Sequence, residues 1–544
     1  MGFMKLKKNI SIMLVIGLMS STLIGCSNTS SDAGESVDKE NARKANNELI
    51  AAVTSEPETG FDATDTGHGD MTSVFFSTLF KRNKNLGIEN DLAKSYEISE
   101  DRLTWTVKIR EDVKFTDGEN LTAEDVVYTY EIAKNSGSSI DLTMLDSVSK
   151  VDDYTVEFKL KNPQSTFIEK LATVGIVPKH AHNEGFSDNP IGSGPYKLVQ
   201  WDKGQQVIAE ANENYYGEKP SIKKLTMVFM DDDTAYAAVK AGEVDIASIP
   251  ASFAKEEVEG KKLIELDSIE TYGVAYPMEQ PGKTTSDGYP IGNEVTSDET
   301  IRKALTYAID REELVEGILE GYGAPSSTGL EKMPWLNEET IIKPEEDGKI
   351  DEAKKMLEEA GWKDTNNNGT IDKDGVEAEF DLLYTDGKYR QELGLAYVEV
   401  AKKLGIKVNL ENRNWDTIVP EINSQAVLYG FGSGDPSEIY NLYSSKTFGV
   451  GVPWNNSGYY QNDKVDEYID KALQSEDEDS ALEYWKKAQW DGETGFSHMG
   501  DCAYTWFVNA GHLYLADEDL DIGTPVVQPH GGKVLYNITE WSWK

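Results

Sequence analysis

About 500 residues run from Glu48 to Lys544, and short β-rich stretches alternate with helical periods throughout. That is more chain than one hydrophobic core organises, so two or more lobes are required. Leu103–Ile109, Thr155–Leu160 and Lys224–Phe229 read as strands. Between about Ser297 and Gly321 the spacing of Ile301, Leu305, Ile309, Leu314, Val315, Ile318 and Leu319 predicts one long helix, stopped by Gly321 and Gly323. A second helix is predicted from Tyr389 to Leu404, breaking at Gly405 into the strand Ile406–Leu410. Such a helix-to-strand return marks an α/β lobe. Asp463–Leu473 is a further amphipathic helix, and Ala503–Lys544 is aromatic and strand-like.

The first residues say where this fold must stand. Lys5, Lys7 and Lys8 precede the apolar run Ile10–Met19 and then small residues up to Cys26, the order of a secretion signal. The run is shorter than the roughly 20 apolar residues a permanent span needs. Residues 1–25 are therefore expected to be removed. Leu23-Ile24-Gly25-Cys26 resembles the lipobox of bacterial lipoproteins, which implies that Cys26 becomes the acylated first residue and anchors the chain to the outer face of the cell membrane. Cys502 is then left without a partner, so stability must come from burial rather than disulfides. Residues 26–47, polar and poor in apolar side chains, are expected to form a flexible tether.

The formal net charge is −43, and no basic run follows the signal. Nucleic acid and anionic lipid head groups are thereby disfavoured as partners, while a negative field suits a cationic ligand or simply keeps the surface soluble.

Several segments, in order, carry a family resemblance. They are Leu92–Tyr96, Thr104–Arg110, Val113–Gly118 with Leu121–Val126, Pro190–Tyr196, Asn214–Gly217, Ala241–Asp245, Ile301–Leu305 and Leu357–Trp362. Together they resemble the large solute-binding proteins of ABC importers, family 5, which carry oligopeptides, dipeptides and nickel. The resemblance implies a two-lobe α/β fold of the periplasmic-binding-protein type with an additional subdomain, and a ligand enclosed by hinge closure. On that pattern lobe one takes residues 48–84, 189–285 and 501–544, the subdomain 85–188, and lobe two 286–500. Membrane permease and ATPase subunits are the implied partners, a monomer the implied state, and binding rather than catalysis the implied task.

Six histidines bear on the cargo, because neutral imidazole is the commonest protein metal ligand. His68, in Asp65-Thr66-Gly67-His68-Gly69-Asp70, and His530, in Gln528-Pro529-His530-Gly531-Gly532, both lie among backbone-bending residues. Their pairing resembles the nickel-binding branch of the family and implies that His68 and His530 ligate Ni(II), the transported ligand, beside a histidine-like or carboxylate chelator. Each is equally an ordinary loop histidine on this reading. His180 and His182 are expected at the surface, and His498 and His512 in the core or at a cleft rim. The alternative cargo is an oligopeptide, whose charged ends an arginine and a carboxylate hold. Arg413, Trp415 and Asp435 are the candidates, although Gly430–Pro436 places glycine and serine where peptide-binding relatives carry an Asp. Trp454 and Trp506 are possible cleft walls or core.

Asp364–Asp372 resembles a calcium loop, but its twelfth position is Gly375 rather than a bidentate Glu, which favours a solvated turn. No nucleophile elbow, phosphate loop or zinc-protease helix is present, and Gly192-Ser193-Gly194 lacks the spacing of an elbow.

Overall fold

The computed structural model describes residues 40–57, 59–65, 71–136 and 141–544. Its strands form three principal sheets. The first has seven, in the spatial order Lys261–Leu266, His512–Asp517, Ile246–Ser248, Glu48–Val53, Lys224–Phe229, Gln206–Ala211, Tyr196–Asp202. Glu48–Val53 pairs in parallel on both sides, with Lys224–Phe229 and with Ile246. Leu49, Ala51 and Ala52 are buried there, as the run of apolar residues requires for a strand covered on both faces.

Sequence position 93–160 folds into a four-stranded antiparallel sheet, Ala93–Ile98, Thr104–Ile109, Thr155–Leu160, Leu145–Asp152. Trp105, Val107 and Ile109 alternate inward against the helix Ala123–Ala133. That helix starts at a capping box in which Thr122 and Asp125 exchange side-chain and backbone bonds.

The six-stranded sheet runs Gly323–Pro325, Tyr504–Ala510, Thr271–Ala275, Ala426–Phe431, Glu379–Tyr384, Lys407–Asn412. Helices over it share its core through Ile301, Leu305, Leu314, Leu393 and Tyr397. The long helix expected over 297–321 is two, Glu299–Ala308 and Arg311–Ile318. Asp310 breaks it by turning extended and accepting the Glu313 N–H, capping the second helix. Apolar spacing ran on through the break because both helices pack on the same sheet. Arg390–Lys403, Lys407–Asn412 and Asp463–Leu473 stand where expected. Of the C-terminal segment, Tyr504–Ala510 and His512–Asp517 are strands, but Val534–Glu540 is 3-10 helical.

Two short crossings join the first and third sheets: residues 267–270, and Gly511. Thr271–Ala275 and Tyr504–Ala510 are thus strands of the third sheet, not of lobe one as the expected limits at 285 and 501 had them; they are hydrogen-bonded to each other and to lobe-two strands.

The tether differs as well. Residues 40–45 are helical and docked: Arg43 pairs with Asp245 at 2.8 Å, and Lys44 with Asp517 at 2.8 Å. Asp245 and Asp517 are almost wholly buried, so these cations neutralise carboxylates that water does not reach. Cys26 and the signal lie outside the described residues. Among the described residues no helix is long and apolar enough to cross a membrane.

Candidate functional site at the lobe junction

Glu270 stands at the end of the first crossing, 6 % exposed. It faces His512 Nε2 at 2.7 Å, accepts the Gly531 N–H at 3.1 Å and the Tyr272 hydroxyl, and lies 3.3 Å from His530 Nδ1. Burial pushes this carboxyl up, but the bonds from His512 and His530 outweigh it and hold it well below the usual carboxylate range. One carboxylate thus joins both crossings and the C-terminal loop. Nothing local in the sequence marks Glu270; its only signal is an isolated acid in a short turn between two strand-like runs.

Close backbone approach explains the glycines beside it. A Cβ on Gly430 would stand 2.8 Å from His530 Cε1, and one on Gly432 (φ +152°) 2.5 Å from the Ile269 carbonyl oxygen. The His530 N–H donates to that same Gly432, through its carbonyl, at 2.9 Å. Glycine in Gly430–Gly434 therefore serves the packing of the C-terminal loop and the crossing.

The remaining candidates are placed as follows. His68 lies outside the described residues. Arg413 is engaged by Glu411 (Nε, 2.8 Å) and Glu421 (3.0 Å). Trp415 packs on Tyr429 and Trp454, with centroids 6.0 and 5.6 Å apart. Asp435 pairs with Lys170 of the subdomain at 2.9 Å and accepts the Ser437 N–H. Trp506 stacks on Tyr504 at 5.0 Å in an aromatic wall that includes Phe431. His180 faces Asp117, while His182 lies between Asp62 and the Tyr128 hydroxyl. His498 is buried edge-on to Tyr307; burial, then the charges of Arg311 and Lys303, push it down to about 4. The Asp364–Asp372 loop closes on its own bonds: Asp364 accepts the Asn368 and Gly369 N–H groups, and Asp372 holds Thr365. Among the described residues no group of three or more His, Cys, Asp or Glu is placed to hold a metal ion.

Away from the hinge, the subdomain reaches lobe two directly. Ser165 donates from its N–H to Leu473 (2.7 Å) and from its hydroxyl to Ala472 (3.0 Å); Ser437 bonds Thr166; Arg102 donates to the Gln474 carbonyl. With Lys170–Asp435 these contacts wall a chamber of about 420 Å³, lined by Lys161, Gln164 and Lys170 on one side and Tyr440, Lys446 and Gln474 on the other. Its size is that of a small-molecule site. Both walls are needed, so the chamber exists only while subdomain and lobe two are together.

With this geometry established, comparison with known proteins is decisive. The profile of "Bacterial extracellular solute-binding proteins, family 5 Middle" matches residues 87–451. The chain belongs to this family. Over 488 residues, 86% of this chain and 85% of the relative, it is 34% identical to Protein XP55 of Streptomyces lividans. It is 29% identical to the oligopeptide-binding protein AppA of Bacillus subtilis over 98% of this chain and 97% of AppA. A solved structure of NikZ from Campylobacter jejuni in complex with Ni(L-His) superposes with a TM-score of 0.78 at 25% identity, covering 91% of this chain and 99% of NikZ. As a family 5 protein the chain has the two-lobe α/β fold expected of it, and it belongs to a transport family whose members work extracytoplasmically with ABC permease and ATPase subunits and take small ligands or peptides.

Proposed function

We propose that this family 5 protein captures short peptides for an ABC importer. The observation that carries the reading is the chamber of about 420 Å³ shared by the subdomain and lobe two, whose walls combine charged and amide side chains such as Lys170, Gln164 and Gln474 with apolar ones such as Met144 and Leu473. A ligand bound between two bodies favours the state in which both touch it, which couples capture to closure. The similarity along nearly the whole chain to AppA, an oligopeptide-binding protein, supports a peptide as the cargo. Lipid anchoring through Cys26 belongs to the proposal and is supported by Leu23–Cys26. Labelled palmitate should enter the expressed wild-type chain and not Cys26→Ser; equal labelling of both would dismiss the anchor.

A second reading, nickel as a chelate, is favoured by one contact. His530 Nδ1 lies against buried Glu270, and a carboxylate at one ring nitrogen is how proteins orient the other toward a metal. His68, a histidine-like or carboxylate chelator, or both would have to supply further donors. Calorimetry on the protein from Glu40 onward separates the two: peptides from a mixed short pool should give saturable heat, and Ni(II), with or without free histidine, should not. Binding of nickel with histidine and silence toward peptides would reverse the choice.

A further inference from the structure

In lobe two, residues 385–389 connect the strand Glu379–Tyr384 to the helix Arg390–Lys403. The base of this loop is tied to its own lobe: Arg390 Nη1 donates to the Asp386 carbonyl at 3.1 Å, and Asn412 Nδ2 donates to the Asp386 carboxylate. Its end is tied to lobe one. Lys388 Nζ donates to the Ser248 hydroxyl at 2.5 Å and stands 3.6 Å from Asp232. Tyr389 packs against the lobe-one cluster that contains Tyr236, Ile249 and Ala251, and its hydroxyl bonds the Ala251 backbone. Its ring also meets Tyr272 edge-on, with centroids 6.2 Å apart, just past the first crossing between the sheets.

The backbone of Tyr389 is left-handed, with φ +61° and ψ −10°. Crowding between Cβ and the following carbonyl oxygen disfavours this conformation for a residue with a side chain by a factor of about five or more. Where the same loop takes a positive φ at position 387 (+153°), it carries glycine. Position 389 carries a tyrosine. Such a conformation persists only where the surroundings over-determine it. Here the ring is shared between the cores of lobe two and lobe one, so the conformation depends on both lobes being together.

We propose that Lys388 and Tyr389 form a strap that holds lobe two to lobe one in the ligand-free protein, and that Tyr389 leaves the left-handed conformation when the lobes part. Contacts and backbone then oppose each other. The ring, the hydroxyl and the ammonium favour closure, while the strained backbone favours release, so the strap grips without locking. It is separate from the Lys170–Asp435 contact and does not depend on the identity of the cargo.

The test is single-molecule energy transfer on the ligand-free chain from Glu40 onward, with dyes on Glu210→Cys in lobe one and Lys355→Cys in lobe two. Both positions are exposed, and the native Cys502 is fully buried and stays unlabelled. The unsubstituted strap should give mostly the closed distance. Tyr389→Ala removes the contacts and keeps the strain, and should raise the open-to-closed ratio by about tenfold or more. Tyr389→Gly removes both, and should be about fivefold less open than Tyr389→Ala, equivalent to about 1 kcal/mol. A ligand-free protein that is already open, an unchanged ratio in Tyr389→Ala, or equal ratios in the alanine and glycine variants would each overturn the proposal. Should Tyr389→Ala fail to fold, Tyr389→Phe with Lys388→Met keeps the ring and drops the polar bonds. That pair should open the protein by about fivefold, and no change would overturn the strap.

Discussion

At the scale of single residues, burial decides what each histidine does. His498 is 6 % exposed, its Nδ1 has no hydrogen-bond partner among the described residues, and its value is depressed to about 4. A folded value below the unfolded one of about 6.5 means that the neutral ring contributes stability fully above pH 6.5, and that this is lost as pH falls toward 4. His498→Phe keeps the ring against Tyr307 and removes the titration. The melting temperature of the variant should fall less steeply than that of the wild type between pH 6.5 and 4, the difference at pH 4 amounting to as much as about 3 kcal/mol. Parallel pH profiles would show that His498 charges freely in the fold. His512 illustrates the opposite case: aromatic surroundings suggested a satisfied core or rim histidine, and its satisfaction comes from a glutamate 242 residues away.

Among the elements, the helical turn at residues 40–45 departs most from its composition. Polar sequence reads as tether because it offers nothing apolar to bury. What holds it instead is charge, Arg43 on Asp245 and Lys44 with Lys261 on Asp517. Asp517 is pushed up by burial but held far below its ordinary value by the groups bonded to it, chiefly Glu40 and Lys44. Removing one partner of a buried pair leaves an uncompensated charge, a loss of about 3–5 kcal/mol. Arg43 is 13 % exposed and Asp245 also accepts the Ile50 N–H, so Arg43→Ala should cost about 2 kcal/mol, read as a lower denaturant midpoint. A chain beginning at Leu49 should lose more. Equal midpoints would show the turn to be merely laid on the surface. The helix break at Asp310 is the matching case among the expected helices: the capping residue was present in the sequence, but the apolar spacing on either side concealed it.

For the whole molecule, the cross-contacts of Ser165, Thr166 and Lys170 with lobe two are the counterpart of the hinge at Glu270. If closure depends on them, Thr166→Val with Lys170→Met should raise the radius of gyration of the ligand-free protein in X-ray scattering and weaken peptide binding by about five- to tenfold, with the ligand restoring compactness. Identical scattering from both proteins would place the hold on closure elsewhere. The two-lobe class and its family were legible in the sequence, because strand alternation and segments such as Val113–Gly118 are local patterns. The candidate site was legible only in part. His530 stood out through its flanking glycines, whereas Glu270 and Lys170 are ordinary charged residues on any local reading.

The amino-acid order alone determined the class of fold, several helix and strand positions and membership of a solute-binding family, since each depends on residues a few positions apart. Tertiary structure alone decided which charges meet. Glu270 with His512, Lys170 with Asp435 and Arg43 with Asp245 are separated by 242, 265 and 202 positions. An ion pair or a chamber between lobes depends on a few ångströms of separation and on the exclusion of water, and neither is set until distant strands have packed.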